Sequence, residues 1–186
     1  MTSGSEGQRD VLPIRCILPD GAVVLLRAVR LDDTARLERL FYRLSPASIT
    51  SYFFLPLPRQ PQWAARLSEM AWADGVDRSV LVALVDEEIV GVARYDRTAT
   101  EEAEFALLIE DGWQQRGLGK RLLVRLVNEA RRHGIGTFRA YIQGENQRAF
   151  RLVRALFATV EPQWYGPECL ILAPFAALRP ESHWEH

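Results

Sequence analysis

The stretch FALLIEDGWQQRGLGKRLLVRLVNEARRHG, residues 105–134, decides the fold. It begins as an apolar run, passes through a polar turn that contains Gly117 and Gly119, and continues at once as a helical pattern. Apolar residues then recur at helical spacing along one stripe: Leu118, Leu122, Leu126 and Ala130. Such a stripe is typical of a helix that packs on a sheet. Because glycine costs about 1 kcal/mol relative to alanine inside a helix, two glycines at this helix start indicate a further role for the backbone.

The start of the predicted helix has the features of an anion site. The first turn of a helix carries backbone N–H groups without intrahelical partners and the positive end of the macrodipole. Since glycine has no Cβ, Gly117 and Gly119 allow a phosphate to approach the backbone closely. Arg116, Lys120 and Arg121 add positive charge nearby. One helix end contributes only about 0.3–1 kcal/mol per charge, so several N–H groups must act together on a pyrophosphate.

Three phosphate-binding motifs must be distinguished at this turn. A Walker A loop requires lysine where Leu118 stands, although Gly112 and Gly117 have the right spacing. The dinucleotide fingerprint requires a third glycine where Leu122 stands, and no early strand–helix–strand unit surrounds it. The remaining match is Q-x-x-G-x-G, residues 114–119. A nucleotide-binding protein that uses the same turn stays open as an alternative.

The pattern along the rest of the chain predicts one domain of the α/β (α+β) class with a mixed sheet. A strand at 21–30 precedes helices that begin near Asp32 or Asp33, at Ser45-Pro46 and at about residue 61. A hairpin turning at residues 86–88, a strand at 101–111 and the long helix ending at Gly134 follow. The last predicted elements are a strand at 137–144, a helix at 146–157 and a strand at 168–175. We expect a flexible tail and lead-in at 1–20, the domain at 21–178 and a C-terminal tail at 179–186.

The composition excludes several functional classes. The net charge is −1, which does not favour a nucleic-acid partner, and the apolar runs are shorter than the roughly 18 residues of a membrane span. The two cysteines, Cys16 and Cys169, have no partners at metal-ligand spacing and suggest free thiols in a reducing compartment. We therefore expect a cytoplasmic protein without a metal, a nucleic acid or a membrane among its ligands.

Two segments carry a family resemblance. The segment LLIEDGWQQRGLGKRLL, residues 107–123, resembles the acetyl-CoA-binding motif of the GNAT superfamily of N-acyltransferases. The segment NQRAFRLVRALF, residues 146–157, is similar to the N-x-x-A helix of that family, and the strand order agrees over roughly residues 23–173. The resemblance implies a single GNAT-type domain with a mixed, mostly antiparallel sheet flanked by helices. It also implies that the strand at 101–111 splays away from the strand at 137–144.

The resemblance assigns the cofactor contacts residue by residue. It implies that acetyl-CoA is the co-substrate and that backbone amides of the turn hold its pyrophosphate: Gln114, Gln115, Arg116, Gly117, Leu118, Gly119 and Lys120. It further implies that the backbones of Leu108 and Ile109 pair with the pantetheine arm. Asn146 matches the family's asparagine near the cofactor.

Glu104 is the candidate catalytic base. Strand alternation places Glu104 on the same face as Glu102, Ala106 and Leu108. Removing a proton from a lysine-like amine at pH 7 costs about 4.6 kcal/mol, and a general base that shares this task contributes roughly 10²–10⁴-fold. The segment EAEFALL also resembles the strand that carries the base in lysine-acetylating GNAT members. The alternative is an exposed glutamate on a solvated face.

The chain departs from the family at the general acid. Many members have a tyrosine seven residues after the asparagine, where this chain has Val153, and Phe157 replaces a family glycine. Tyr141 and Tyr165 are the substitutes that the sequence offers. This departure keeps open an alternative function, that of a catalytically silent acyl-CoA-binding regulatory module.

The acceptor is an amine whose identity the sequence leaves open. The segment RLSPASITSYFF, residues 43–54, resembles the corresponding helix of bacterial GNAT domains that acetylate protein lysines, but a small amine is equally compatible. Because no cysteine lies near the motif, we expect direct transfer in a ternary complex. A homodimer is left open.

Overall fold

The computed structural model describes residues 13–180, which hold eight strands and five α-helices. The strands are β1 (Ile14–Ile17), β2 (Val23–Ala28), β3 (Arg78–Val85), β4 (Glu88–Ala99), β5 (Glu102–Ile109), β6 (Thr137–Gln143), β7 (Pro162–Tyr165) and β8 (Glu168–Pro174). The helices are α1 (Thr34–Arg43), α2 (Pro46–Phe53), α3 (Pro61–Ser68), α4 (Leu118–Arg132) and α5 (Gln147–Leu156). The predicted order of elements is confirmed, and the short strands β1 and β7 are additional.

The strands form one sheet in the order β1-β2-β3-β4-β5-β6-β8-β7. Every neighbouring pair is antiparallel except β5 and β6, which are parallel. The β5–β6 ladder pairs only Glu102–Glu104 with Thr137–Arg139, although both strands continue beyond it. The two strands therefore splay, and the predicted mixed sheet with separated neighbours is confirmed.

Local sequence explains the turns that frame this sheet. Asp86 and Glu87 both have positive φ, as a two-residue hairpin turn between β3 and β4 requires. Gly134 has φ +75° directly after α4, and the Ile135 N–H donates to the carbonyl of Ala130 at 3.0 Å. This arrangement is a glycine C-cap, and the predicted end of the long helix is confirmed.

Two apolar cores lie on opposite faces of the sheet. The face that carries Ala103 and Phe105 packs against α4 and α5, while the face that carries Leu108 packs against α1–α3. The leucine stripe of α4 is fully buried in the first core, as its spacing predicts. The predicted alternation of faces along β5 is therefore confirmed.

The domain limits need a correction. Ile14–Ile17 pair with β2 as an edge strand, and Leu18 is buried, so the sheet begins within the segment expected to be a lead-in. At the other end, the Arg179 N–H donates to the Leu156 carbonyl at 2.8 Å, one residue beyond the expected limit. The rest of the two expected tails, residues 1–12 and 181–186, lies outside the described residues. None of the helices within residues 13–180 is long and apolar enough to cross a membrane.

Candidate active site

A cavity of about 1050 Å³ opens where β5 and β6 splay. We call the gap between residues 105–109 of β5 and 140–142 of β6 the slot, and residues 114–120 the cofactor turn. Nine of the predicted site residues line the cavity: Glu104, Leu108, Ile109, Gln114, Gln115, Gly117, Gly119, Lys120 and Asn146. Arg116 and Leu118 do not line it, and the Leu118 side chain is fully buried in the core.

The backbone of the cofactor turn adopts an uncommon conformation. Gln115 and Gly117 both lie in the left-handed region, with φ +60° and +85°. Only glycine enters this region without steric cost, which explains Gly117 at the N-cap of α4. Gly117 also offers no side-chain oxygen to the first N–H groups of α4, so these donors suit an external anion. A left-handed glutamine is uncommon and places local strain at a candidate binding site.

Gly119 is required by close packing. A Cβ at this position would lie 3.1 Å from a methyl carbon of Leu107 and 3.5 Å from one of Leu152. A larger side chain at residue 119 would therefore project into the wall where β5, α4 and α5 meet. Lys120 follows at the same wall, and burial, then the charge of Arg121, lowers the pKa of the Lys120 ammonium.

The guanidinium of Arg116 does not add free positive charge to the turn. It forms an ion pair with Asp20 and lies over the ring of Trp113, 4.1 Å from the centroid. The hydrogen bond from Arg116 is the main cause that lowers the pKa of Asp20. This ion pair offsets the positive charge that Arg116 was expected to add at the anion site, and a role for that charge in binding stays a prediction. Its backbone N–H remains part of the turn.

Leu107, rather than Leu108, presents its backbone to the slot. The Glu110 N–H donates to the Val90 carbonyl at 2.9 Å, so residues of even number on β5 direct their backbone groups towards β4. Leu108 follows this alternation and bonds to β4. The backbone groups of Leu107 and Ile109 point the other way, into the slot. The prediction for Leu108 therefore needs correction, and that for Ile109 agrees with this geometry.

Gln114 connects three elements at the mouth of the slot. Its side-chain NH₂ donates to the Ile109 carbonyl at 2.9 Å and to the Ser48 hydroxyl of α2 at 3.0 Å. Its side-chain oxygen accepts a hydrogen bond from Arg148 of α5. Sequence reasoning assigned only a backbone role to Gln114, because these partners are distant along the chain.

Asp111 fixes α2 to the end of β5. Its carboxylate accepts hydrogen bonds from the Ser45 N–H at 2.8 Å, the Ser45 hydroxyl at 2.6 Å and the Ser48 hydroxyl at 2.9 Å. Burial alone would raise the pKa of Asp111, but these bonds hold it below its ordinary value. Sequence reasoning missed this residue. This carboxylate therefore joins α2, on the acceptor side of the cavity, to the segment that leads into the cofactor turn.

Glu104 lies at the other end of the cavity. Glu104 is half-buried. In the strand register it lies opposite Asp96 of β4 on one side and opposite Arg139 of β6 on the other. Within residues 13–180, no hydrogen bond or ion pair engages its carboxylate. The neighbouring Arg139 instead donates to the Tyr141 hydroxyl at 3.1 Å. The Glu104 carboxylate is therefore available to a group that enters the cavity.

Comparison with known proteins identifies the family. The model of the acetyltransferase (GNAT) family matches residues 41–157, which include the cofactor turn and Glu104. The chain belongs to the GNAT family. A Pseudomonas aeruginosa relative named acetyltransferase PA5475 is 34% identical over 122 residues, 63% of this chain. The chain spans 64% of the length of that relative.

Solved GNAT structures share the fold. The GNAT domain of PAT from S. lividans superposes with a TM-score of 0.78 at 27% identity, covering 87% of this chain and 96% of that chain. The PaiA N-acetyltransferase of Thermoplasma acidophilum, solved in complex with coenzyme A, gives a TM-score of 0.62 at 16% identity. This second match covers 81% of this chain and 98% of that chain, and it supports the fold alone.

Three further residues that the sequence singled out, Asn146, Val153 and Tyr141, lie around the slot. Asn146 is the N-cap of α5, where its side-chain oxygen accepts from the Ala149 N–H at 3.1 Å. Val153 lines the cavity and has no proton to give. Tyr141 also lines the cavity, whereas Tyr165 does not. Of the two substitutes that the sequence offers, Tyr141 is therefore the one that the fold brings to the site.

Neither cysteine lines the cavity. Cys16 and Cys169 are free. Burial raises the pKa of both thiols. Within the part of the chain that the structure describes, no group of three His, Cys, Asp or Glu side chains could hold a metal ion.

Proposed function

We propose that this chain transfers an acetyl group from acetyl-CoA to a primary amine, of a protein lysine or a small molecule, by direct transfer in a ternary complex. One observation carries the proposal. The open edge of β5, formed by the Leu107 backbone and the Ile109 N–H, leads directly into the main-chain donors of the cofactor turn. A ligand with an extended arm that ends in a diphosphate matches this spatial order of backbone hydrogen-bonding groups.

The residues present fit coenzyme A. The Gly117 N-cap and the first turn of α4 direct backbone N–H groups towards a pyrophosphate, with the Lys120 side chain beside them. The cavity volume of about 1050 Å³ lies at the upper end of the range for ligand sites. The coenzyme A complex of the T. acidophilum neighbour supports the same ligand for this fold.

Glu104 is positioned to take the proton of the acceptor. The acceptor ammonium must lose a proton before its nitrogen can attack, at a cost of about 4.6 kcal/mol for a lysine-like amine at pH 7. Glu104, directly or through one water, accepts that proton and leaves a neutral amine. The nitrogen then gives up its second proton to water as the N–C bond forms and the C–S bond breaks. Acetyl-CoA supplies the activated acetyl thioester. The departing thiolate takes its proton from Tyr141 or from water.

The decisive test compares Glu104→Gln with the native chain. Release of coenzyme A with a panel of amines should show a kcat about 10²-fold lower in the variant, because a general base contributes about that much or more. The dissociation constant for acetyl-CoA should not change. Glu102→Gln, on the same strand and face, is the matched control and should retain the native kcat.

Other outcomes separate the alternatives. Equal kcat in both chains would remove Glu104 from the mechanism. Binding of acetyl-CoA without turnover of any amine would instead identify a silent regulatory module. Displacement of bound coenzyme A by ATP or NAD would support the nucleotide-binding alternative.

The proposal extends to the setting of the enzyme. Both cysteines are free, which is typical of a reducing compartment, and we place the chain in the cytoplasm. A net charge of −1 gives no electrostatic support for a nucleic-acid partner. The homodimer remains a prediction, which sedimentation of the full chain would test.

A further inference from the structure

A row of four charged side chains crosses the sheet at the acceptor end of the cavity. Arg78 of β3 lies opposite Asp96 of β4, Asp96 lies opposite Glu104 of β5, and Glu104 lies opposite Arg139 of β6. Side chains in register on neighbouring strands point to the same face. This charged row therefore lies on the face that α1–α3 cover.

Two guanidinium groups share one carboxylate in this row. Arg78 donates to Asp96 at 2.5 Å, and Arg94, two residues before Asp96 on the same face, forms a second ion pair with it. Arg78 and Arg94 line the cavity, whereas Asp96 does not. With Glu104 and Arg139 included, three arginines of this part of the sheet face two carboxylates, so it carries one excess positive charge.

The remaining partner of Arg94 does not cancel this excess. The Nε–H of Arg94 donates to the Tyr52 hydroxyl at 3.1 Å. Burial raises the pKa of Tyr52 in spite of the nearby arginine, so this hydroxyl stays neutral. At the rim, the exposed side chains of Arg66 and Glu69 balance one another in charge.

We propose that the acceptor carries a carboxylate close to its amine, as a free amino acid or a related small molecule does. Its carboxylate binds Arg94, with Arg78 beside it, while its amine lies against Glu104. Guanidinium groups bind carboxylates through paired, charge-assisted hydrogen bonds. This assignment rests on the proposed function and narrows it to one class of acceptor.

The spacing of the sheet agrees with this arrangement. Arg94 and Glu104 are diagonal neighbours on adjacent strands, because Arg94 lies opposite Ala106 and Glu104 lies opposite Asp96. Diagonal neighbours are about 7–8 Å apart at their backbones, which is within reach of long side chains. A small molecule with both an amine and a carboxylate can therefore contact both. A lysine within a protein has no free carboxylate of its own and supplies no second anion to the two arginines that share Asp96.

The test uses acceptors in matched pairs. Each amino acid is compared with the amine that lacks only its carboxylate, such as phenylalanine with 2-phenylethylamine, and a lysine peptide with blocked ends is included. We expect the native chain to favour the best amino acid over its partner amine by at least about tenfold in kcat/KM, mainly through KM. In Arg94→Gln this ratio should fall to within about threefold. Arg94→Lys should give an intermediate ratio, because lysine retains the positive charge but lacks the paired N–H donors of the guanidinium.

Two controls make the result decisive. Binding of coenzyme A to Arg94→Gln should match the native chain, which shows that the variant is folded. Arg66→Gln removes a cation from the rim of the same cavity and should keep the native ratio. An unchanged ratio in Arg94→Gln, an equal loss in Arg66→Gln, or a blocked peptide acetylated as well as any amino acid would overturn the inference. Failure of the native chain to acetylate any amine would instead overturn the proposed function, and this inference with it.

Discussion

The two ends of the cavity are built in different ways. The cofactor turn is one continuous segment of seven residues, and it presents mainly backbone N–H groups. The acceptor end takes Arg78, Arg94 and Glu104 from three strands and presents charged side chains. The difference predicts how each end can be damaged. A backbone site is blocked by added bulk, whereas a side-chain site is lost when a charge is removed.

The largest expected effect is on stability, and it comes from a buried ion pair that belongs to neither end of the cavity. Arg27 donates to both oxygens of Asp33 at 2.6 and 2.7 Å, and the Asp33 side chain is fully buried. Asp33→Ala leaves a buried guanidinium without its partner, which costs about 3–5 kcal/mol. Calorimetry should show a Tm lower by about 10 °C. The exposed neighbour variant, Asp32→Ala, should have nearly the native Tm.

The pH dependence of this pair has a defined sign. Burial alone would raise the pKa of Asp33, but hydrogen bonds from Arg27 and the Arg30 N–H lower it below its ordinary value. The pair therefore stabilises the fold fully above about pH 4, and this stability is lost as the pH falls through the folded-state pKa. The gap in Tm between the native chain and Asp33→Ala should narrow below that pH. A gap that widens in acid would contradict this assignment.

Gly119→Val tests the cofactor end alone. A Cβ at residue 119 already meets Leu107 and Leu152 within 3.5 Å, so the larger side chain must extend into the cavity wall. We expect the dissociation constant for acetyl-CoA to rise at least about tenfold, or roughly 1.4 kcal/mol. Gly112→Val is the matched control, because a Cβ at residue 112 meets no atom within 4 Å. Equal affinity in the two variants would show that the turn does not hold the cofactor.

Asp111→Asn tests the contact between α2, on the acceptor side, and the end of β5. The change weakens the three hydrogen bonds that fix α2 beside β5. We expect a loss of about 1 kcal/mol in stability, a Tm lower by about 2–4 °C, and a KM for the acceptor two- to threefold higher. Affinity for acetyl-CoA should stay constant, as it should in the exposed control Glu101→Gln. A larger change in the affinity for acetyl-CoA than in the KM for the acceptor would show that Asp111 supports the cofactor turn instead of the acceptor side.

The same contrast explains what the sequence could predict. The cofactor turn was predictable because its glycines, its helix start and the preceding strand are contiguous. The glycine C-cap at Gly134 and the hairpin at Asp86 were predictable for the same reason. Each depends on local backbone conformation, which a few neighbouring residues determine.

The features that were missed depend on strand pairing. Whether Leu107 or Leu108 faces the slot is decided by which residue of β5 bonds to β4. The neighbours of Glu104 in the charged row become known only when the register of four strands is known. The strands β1 and β7 have four residues each and lie at the sheet edges, so their patterns are too short to predict them.

A crystal structure of the full chain with acetyl-CoA would locate the cofactor. We expect pyrophosphate oxygens within about 2.7–3.2 Å of backbone nitrogens in residues 117–120. We also expect the pantetheine arm along Leu107 and Ile109, with the acetyl group near Glu104. A pyrophosphate bound elsewhere, or an arm that leaves the edge of β5 uncovered, would contradict this expectation.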